Sequence, residues 1–265
     1  MLKNKYEVKQ IGEQKTLELY LYGEIETDYY DWWTGKTIES KTSANYVRKV
    51  LDEAGNVDRI NVYINSIGGS VSEGNAIYNI LKRSPAEKVV YVDAFAYSVA
   101  SVIAMAGDKI IMPSNTTMMI HNAMWGIFGN SQQLRKAADD LDIINEASCN
   151  TYLVKAGDKL SKEDLTKMLD AETYLTAEKA LEIGLCDEIA NPVDLSESIE
   201  VVEQAQQKQN AFAKQAAQQI KAEVKAKEEP PKPQEQNPPQ AQEKDVDKFE
   251  FATPIFNKYF NLKEN

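Results

Sequence analysis

Histidine occurs once in the 265 residues, at His121, and cysteine twice, at Cys149 and Cys186. One histidine excludes a metal site of clustered histidines and leaves every histidine-dependent mechanism a single candidate. The two cysteines are far apart and lack metal-ligand spacing. They read as free thiols in a reducing cytoplasm, with one disulfide as the alternative. No uninterrupted apolar run reaches the ~20 residues a membrane helix needs, and the opening residues do not form a cleavable secretory signal. Basic residues are also short, 30 against 41 acidic, for a net charge of −11. That balance argues against nucleic acid or an anionic membrane as partner. What the chain does have is 43% hydrophobic residues, enough for one sizeable core.

Composition changes near residue 200. Residues 1–202 alternate strand-like and helix-like segments and form the expected globular domain. Residues 203–248 are rich in Gln, Lys, Glu and Ala, and five of the nine prolines fall between Pro230 and Pro239. The first half of this stretch suits a solvated helix and the second an extended linker. From Glu203 to the end acidic and basic residues balance at ten each, so the whole net charge belongs to the first domain. Residues 249–265 gather Phe249, Phe251, Phe256, Tyr259 and Phe260. They read as a tethered docking segment or as a small element packed on the main domain.

Within the first domain, 15–25 and 59–65 pattern as strands, the latter alternating and rich in branched residues. Helices are expected at 43–55 and 70–84, the second with Ser70 or Ser72 as cap and Ala76, Ile77 and Ile80 on one face. The strand KVVYVDA (88–94) leads into a short buried helix at 98–108. Two short strands flank Pro113, a long helix covers roughly 130–157, and a shorter one begins at Ser161. A helix ended by Gly184 and a strand at 185–189 complete the series. Such alternation predicts an α/β domain with a largely parallel sheet and right-handed crossovers. Between the first strand and first helix, four aromatics crowd a polar loop at 26–42, where capping of the sheet is the expected role and meeting a partner the alternative.

Ligands of parallel sheets gather at the carboxyl ends of the strands, and three features fall there. The glycines of NSIGGSV (65–71) permit backbone conformations closed to other residues and let main-chain N–H groups face a cavity. Ser98 stands between a strand and a helix, where its hydroxyl meets the N–H of Val99 at a helix N-terminus. It is either a helix cap or a nucleophile with its oxyanion donor adjacent. Ser101, one turn further on, suits back-bonding to a carbonyl and close packing. His121 ends the strand TTMMIH, either as a satisfied structural residue or as the base a serine nucleophile needs.

The motifs YINSIGGSVSEGNAIYN, FAYSVASVIAMAGD, MMIHN and DAETYLTAEKALEIGLCDEI, in this order, resemble the proteolytic subunit ClpP of the Clp protease. They resemble still more the ClpP-type head maturation proteases of tailed bacteriophages. The likeness runs from about Leu17 to Ile189 and includes the thirty residues separating Gly68 from Ser98. It implies a ClpP/crotonase-like spiral of βα units and a serine endopeptidase without metal or organic cofactor. By the resemblance, Ser98 is the nucleophile, His121 the general base, and Glu172 the acid, with Asp170 as substitute. The N–H groups of Gly69 and Val99 form the oxyanion hole. Gly68, Ser70, Val71 and Asn122 flank an extended substrate strand. A β-carbon at Gly69 is expected to disable the site without unfolding the chain. Ile67 departs from the family's proline and Ala94 from its glycine. The resemblance further implies a homo-oligomeric ring in which the helix after His121 packs between rings. The long C-terminal extension favours a viral protease that trims capsid or scaffold proteins, in the bacterial host cytoplasm or inside the procapsid. The rivals are a housekeeping ClpP subunit fed by an ATP-driven unfoldase, a catalytically silent scaffold of the same fold, and a crotonase-type acyl-CoA enzyme.

Overall fold

The structure, a computed structural model, describes residues 4–11 and 13–195 and scattered positions between 199 and 218. Those scattered positions are helical and exposed. The Pro-rich linker and the aromatic segment 249–265 lie outside the described residues.

Along the chain run β1 (Tyr6–Ile11), β2 (Gln14–Ile25), β3 (Tyr29–Asp31), β4 (Lys36–Ile38), α1 (Ala44–Ala54), β5 (Arg59–Gly69) and α2 (Val71–Arg83). Then follow β6 (Glu87–Tyr97), α3 (Val99–Ala104), β7 (Lys109–Pro113), β8 (Thr117–Ile120), α4 (Ser131–Ala156) and α5 (Lys162–Asp170). The series ends with β9 (Thr173–Thr176), α6 (Ala177–Glu182) and β10 (Glu188–Ala190). The main sheet is ordered β1-β2-β5-β6-β7-β10. Its neighbours are parallel from β2 to β10, while β1 is antiparallel to β2. The fold is therefore the expected α/β architecture with a largely parallel sheet.

Alternation in the strands decides which face is buried. Leu17, Leu19 and Leu21 of β2, Ile60, Val62 and Ile64 of β5, and Val90 and Val92 of β6 share one core with Val47 and Val50 of α1 and Ile77 and Leu81 of α2. The intervening residues carry a row of stacked rings across three strands. Tyr20, Tyr63 and Tyr91 lie 4.6 and 5.0 Å apart between successive centroids.

Helix boundaries follow the capping chemistry of the sequence. Ser43 accepts from the Tyr46 N–H, Ser161 from Asp164 N–H, and Asn130 closes a capping box with Gln133 at the head of α4. Ser70, of the two candidate caps of α2, accepts from Glu73 N–H.

Three expectations need correction. The four aromatics of the polar loop do not cap the sheet. They stand on the β3–β4 hairpin, with Trp32 77% and Trp33 99% exposed, because Gly35 closes a tight turn and Thr42 and Asp28 tie the hairpin's base to β2 and α1. Helix α3 spans six residues rather than eleven, since Met105 begins a tightening of the last turn. The last strand is Glu188–Ala190, later than 185–189, because Leu185 and Cys186 bond back to the Ala180 carbonyl of α6 before pairing with β7 resumes. Strands β1 and β9 carry no expectation from the pattern; each is the antiparallel partner of a strand that does.

Both cysteines are buried and free. Among the described residues no helix is long and apolar enough to cross a membrane, and no three His, Cys, Asp or Glu side chains gather at metal-binding distance.

Candidate active site

The site is built where β6 changes partner. Its first half pairs with β7 through Val89–Tyr91, and its last three residues, Phe95–Tyr97, pair with β8 instead. Tyr97 lies opposite Met119, so the residues after each strand, Ser98 and His121, meet at the same carboxyl edge. The Ser98 N–H donates to the Met119 carbonyl at 2.8 Å and fixes the two strands there.

Ser98 occupies the cap position of α3, yet its hydroxyl makes no cap bond. Its backbone has φ 54° and ψ −132°, a combination that L-residues adopt at a cost of ~1–3 kcal/mol and that the surroundings must hold. The Oγ lies 2.7 Å from His121 Nε2. The Ser98 hydroxyl thus faces His121 and not the helix N–H groups it was placed to cap. Ser101 behaves as the residue pattern implied, bonding back to the Ser98 carbonyl at 2.6 Å.

His121 is held in a side-chain environment only 9% exposed, and burial lowers its pKa from the ordinary imidazole value. The Glu172 carboxylate opposes that shift, its Oε1 lying 4.0 Å from Nδ1. Glu172 sits with φ 49° in the turn between α5 and β9. Asp170, the substitute acid, accepts from the Asn122 side-chain amide at 2.7 Å instead. The Asn122 side chain, expected beside substrate, is thus held by Asp170.

The end of β5 closes the third side. Gly68 has φ +89° and Gly69 φ +146°, so both use the freedom the sequence offered. Val99 opens α3, where its N–H precedes any intrahelical partner. Gly74 of α2 lies directly under it, since a β-carbon on Gly74 would overlap the Val99 side chain. That dependence escaped the sequence reading; GNA within a helix reads only as a weak helix position. The Ser70 N–H donates to the Ile25 carbonyl and its hydroxyl caps α2, so its polar groups serve the fold. The Gly69 expectation changes too. A β-carbon there would overlap the Ile25 carbonyl of the neighbouring strand, so substitution strains the sheet as well as the site.

The two departures from the family pattern are accommodated. Ile67 packs beneath Phe95 and Tyr97, and Ala94 is buried without a positive φ.

A sequence family described as Clp protease matches residues 32–193, more than half of the chain. The chain belongs to the Clp protease family. The match begins at residue 32 rather than near Leu17, and ends at 193 rather than Ile189. The chain is similar to an ATP-dependent Clp protease proteolytic subunit of Ligilactobacillus salivarius, 34% identical over 142 residues, covering 52% of this chain and 71% of the relative. A subunit so named from Deinococcus radiodurans is 29% identical over 162 residues, or 59% and 78% of the two chains. Subunit 2 from Thermobifida fusca is 31% identical over 133 residues, or 49% and 64%. As a member of the Clp protease family the chain is a serine protease, a hydrolase of peptide bonds.

Proposed function

We propose that the chain is an endopeptidase in which Ser98, His121 and Glu172 form the catalytic triad. The observation that carries this reading is the 2.7 Å contact between Ser98 Oγ and His121 Nε2 at the carboxyl edge of a parallel sheet. A hydroxyl donating to Nε2 leaves the ring proton on Nδ1, facing Glu172. Ser98 Oγ attacks the carbonyl carbon of an extended peptide as its proton passes to His121 Nε2. The Gly69 and Val99 N–H groups receive the oxyanion, an interaction whose donors are worth ~10²–10³ each in rate. Collapse breaks the C–N bond and returns the proton to the leaving amine. Water, deprotonated by the same histidine, then releases the acyl group and restores Ser98. A lowered imidazole pKa suits the base role, because the ring is neutral and able to accept a proton at neutral pH.

The substrate lies as an added strand beside Gly68–Val71 and the segment after His121. Protomers assemble as a homo-oligomeric ring. The names of the relatives support a subunit supplied with unfolded chains by an ATP-driven partner, more than they support trimming of capsid or scaffold proteins.

Two measurements test the reading. Intact mass of the purified chain after a fluorophosphonate probe should show one adduct, absent from Ser98→Ala. Degradation of an unfolded protein should require an added unfoldase and ATP, whereas cleavage of a coexpressed capsid-scaffold precursor without either would reverse the choice of substrate. No adduct and no cleavage would leave a catalytically silent member of the family.

A further inference from the structure

Two hydroxyls buried behind the nucleophile take no part in the proton transfer above. Ser101 is 0% exposed and Tyr152 1%, yet their oxygens lie 2.6 Å apart, and Ser101 Oγ lies 2.6 Å from the Ser98 carbonyl oxygen. A carbonyl only accepts, so the Ser101 hydroxyl donates to it, and the Tyr152 O–H is left to donate to Ser101 Oγ. The chain of bonds has one direction, from Tyr152 on α4 through Ser101 on α3 to the main chain of Ser98. Burial raises the Tyr152 phenol pKa, which keeps the donor protonated.

The residue at the end of this chain is one of only two non-glycine residues with positive φ among those described. Its carbonyl also accepts the Ser101 N–H at 2.9 Å, and its N–H is held by Met119 at 2.8 Å. Back-bonding by a helical serine is common and accounts for the Ser101 contact alone. It does not account for a fully buried tyrosine, 51 residues away in sequence, whose hydroxyl is satisfied at that serine. A buried hydroxyl left without partner costs ~1–3 kcal/mol, so the two hydroxyls depend on each other and on the Ser98 carbonyl.

We infer that Tyr152, acting through Ser101, is a positioning residue that holds the Ser98 backbone in the elbow aiming its Oγ at His121. The inference rests on the catalytic reading of Ser98 and His121. It makes the seating of α4 a condition of nucleophile geometry: withdrawal of the phenol frees Ser101 to rotate and the Ser98 carbonyl to relax.

The test uses the full chain with Tyr152→Phe, which removes one oxygen and keeps the ring, with Ser101→Ala, and with the pair combined. For each, kcat and KM on a peptide reporter, the rate of fluorophosphonate labelling at Ser98, the pH profile and the thermal midpoint are measured. Each single variant should lower kcat and labelling rate about five- to twentyfold, as loss of one positioned hydrogen bond implies. KM should stay within about twofold and the acid limb of the pH profile should not move. Because Tyr152 acts through Ser101, adding Tyr152→Phe to Ser101→Ala should cost nothing more. A fall in thermal midpoint with wild-type kcat and labelling rate would make the pair merely structural and overturn the inference. So would additive losses in the double variant. If one variant does not fold, the other decides alone. Wild type that is not labelled at Ser98 removes the catalytic reading itself; labelled wild type with unimpaired variants removes only the positioning role.

Discussion

Gly68 lies flat against Ser98. A β-carbon on Gly68 would stand 2.6 Å from the Ser98 Cβ, 2.8 Å from the Tyr97 carbonyl and 3.1 Å from Ser98 Oγ. The bare α-carbon is therefore a condition for the serine's position. Gly68→Ala should reduce kcat/KM by about a hundredfold, the scale of a ~1 Å misplacement of a reacting group. Active-site titration with a phosphonate checks it. Gly69→Val differs, because its side chain meets the β2 backbone. That variant should lose thermal stability together with activity.

Glu172 is the partner of His121 across 4.0 Å and its side chain is 62% exposed. Solvent screens such a contact, so Glu172→Gln should lower kcat by about ten- to a hundredfold, less than the ~10⁴ lost with a buried aspartate. The base works only when neutral, so activity falls as pH drops through the imidazole pKa. Burial already places that pKa below the ordinary value, and the Glu172 charge raises it back in part. Removing the charge should move the acid limb of the kcat/KM profile to lower pH. An unmoved limb would show that the carboxylate does not act on His121.

Asp93 accepts a hydrogen bond from the Tyr22 hydroxyl, and burial raises its pKa to about 6. A group whose pKa is raised on folding contributes stability below its unfolded value near 4, and that contribution is lost as pH rises through the folded value. Asp93→Asn keeps an acceptor for Tyr22 without the charge. It should raise stability by about 2 kcal/mol at pH 8 and by little at pH 4. Urea unfolding at the two pH values reads the difference.

Trp32 and Trp33 project from the β3–β4 hairpin rather than sealing the sheet. Replacing both with serine removes almost no buried area. The thermal midpoint should shift by less than about 2 °C, since exposed substitutions seldom exceed ~0.5 kcal/mol. A larger fall would mean these rings cover the core after all.

The residues that make single elements were legible in the chain. Helix α4 was expected at 130–157 and runs Ser131–Ala156, because Asn130 and Gly157 supply chemically definite ends. β5 was expected to stop at residue 65 and continues to Gly69, because its partner β2 supplies carbonyls and N–H groups past the bulge at Gly23. Ser70 as a cap was equally readable; the displaced strand at β10 was not, since its start depends on where α6 releases the chain.

The candidate site divides in the same manner. Ser98, His121 and the two glycines stood out because each residue type, at a strand's carboxyl end, has a definite chemistry. The choice between Glu172 and Asp170 was not readable, because two carboxylates two residues apart differ only in which neighbour they reach. Asp170 turns to Asn122, and Glu172, in a turn of positive φ, faces His121. Tyr152 gave no signal beyond a buried position at helical spacing from Cys149 and Ala156.

By itself the sequence determined the α/β alternation, the caps and the small set of groups able to do acyl-transfer chemistry, since these depend on local sterics, periodicity and functional groups. Only the tertiary structure decided that β6 exchanges β7 for β8 three residues before Ser98, which sets Tyr97 opposite Met119 and brings Ser98 Oγ within 2.7 Å of His121. Strand register is a long-range property. It is fixed by the twist of the whole sheet and by which faces can be buried together, and a shift of one residue would turn each side chain to the other face.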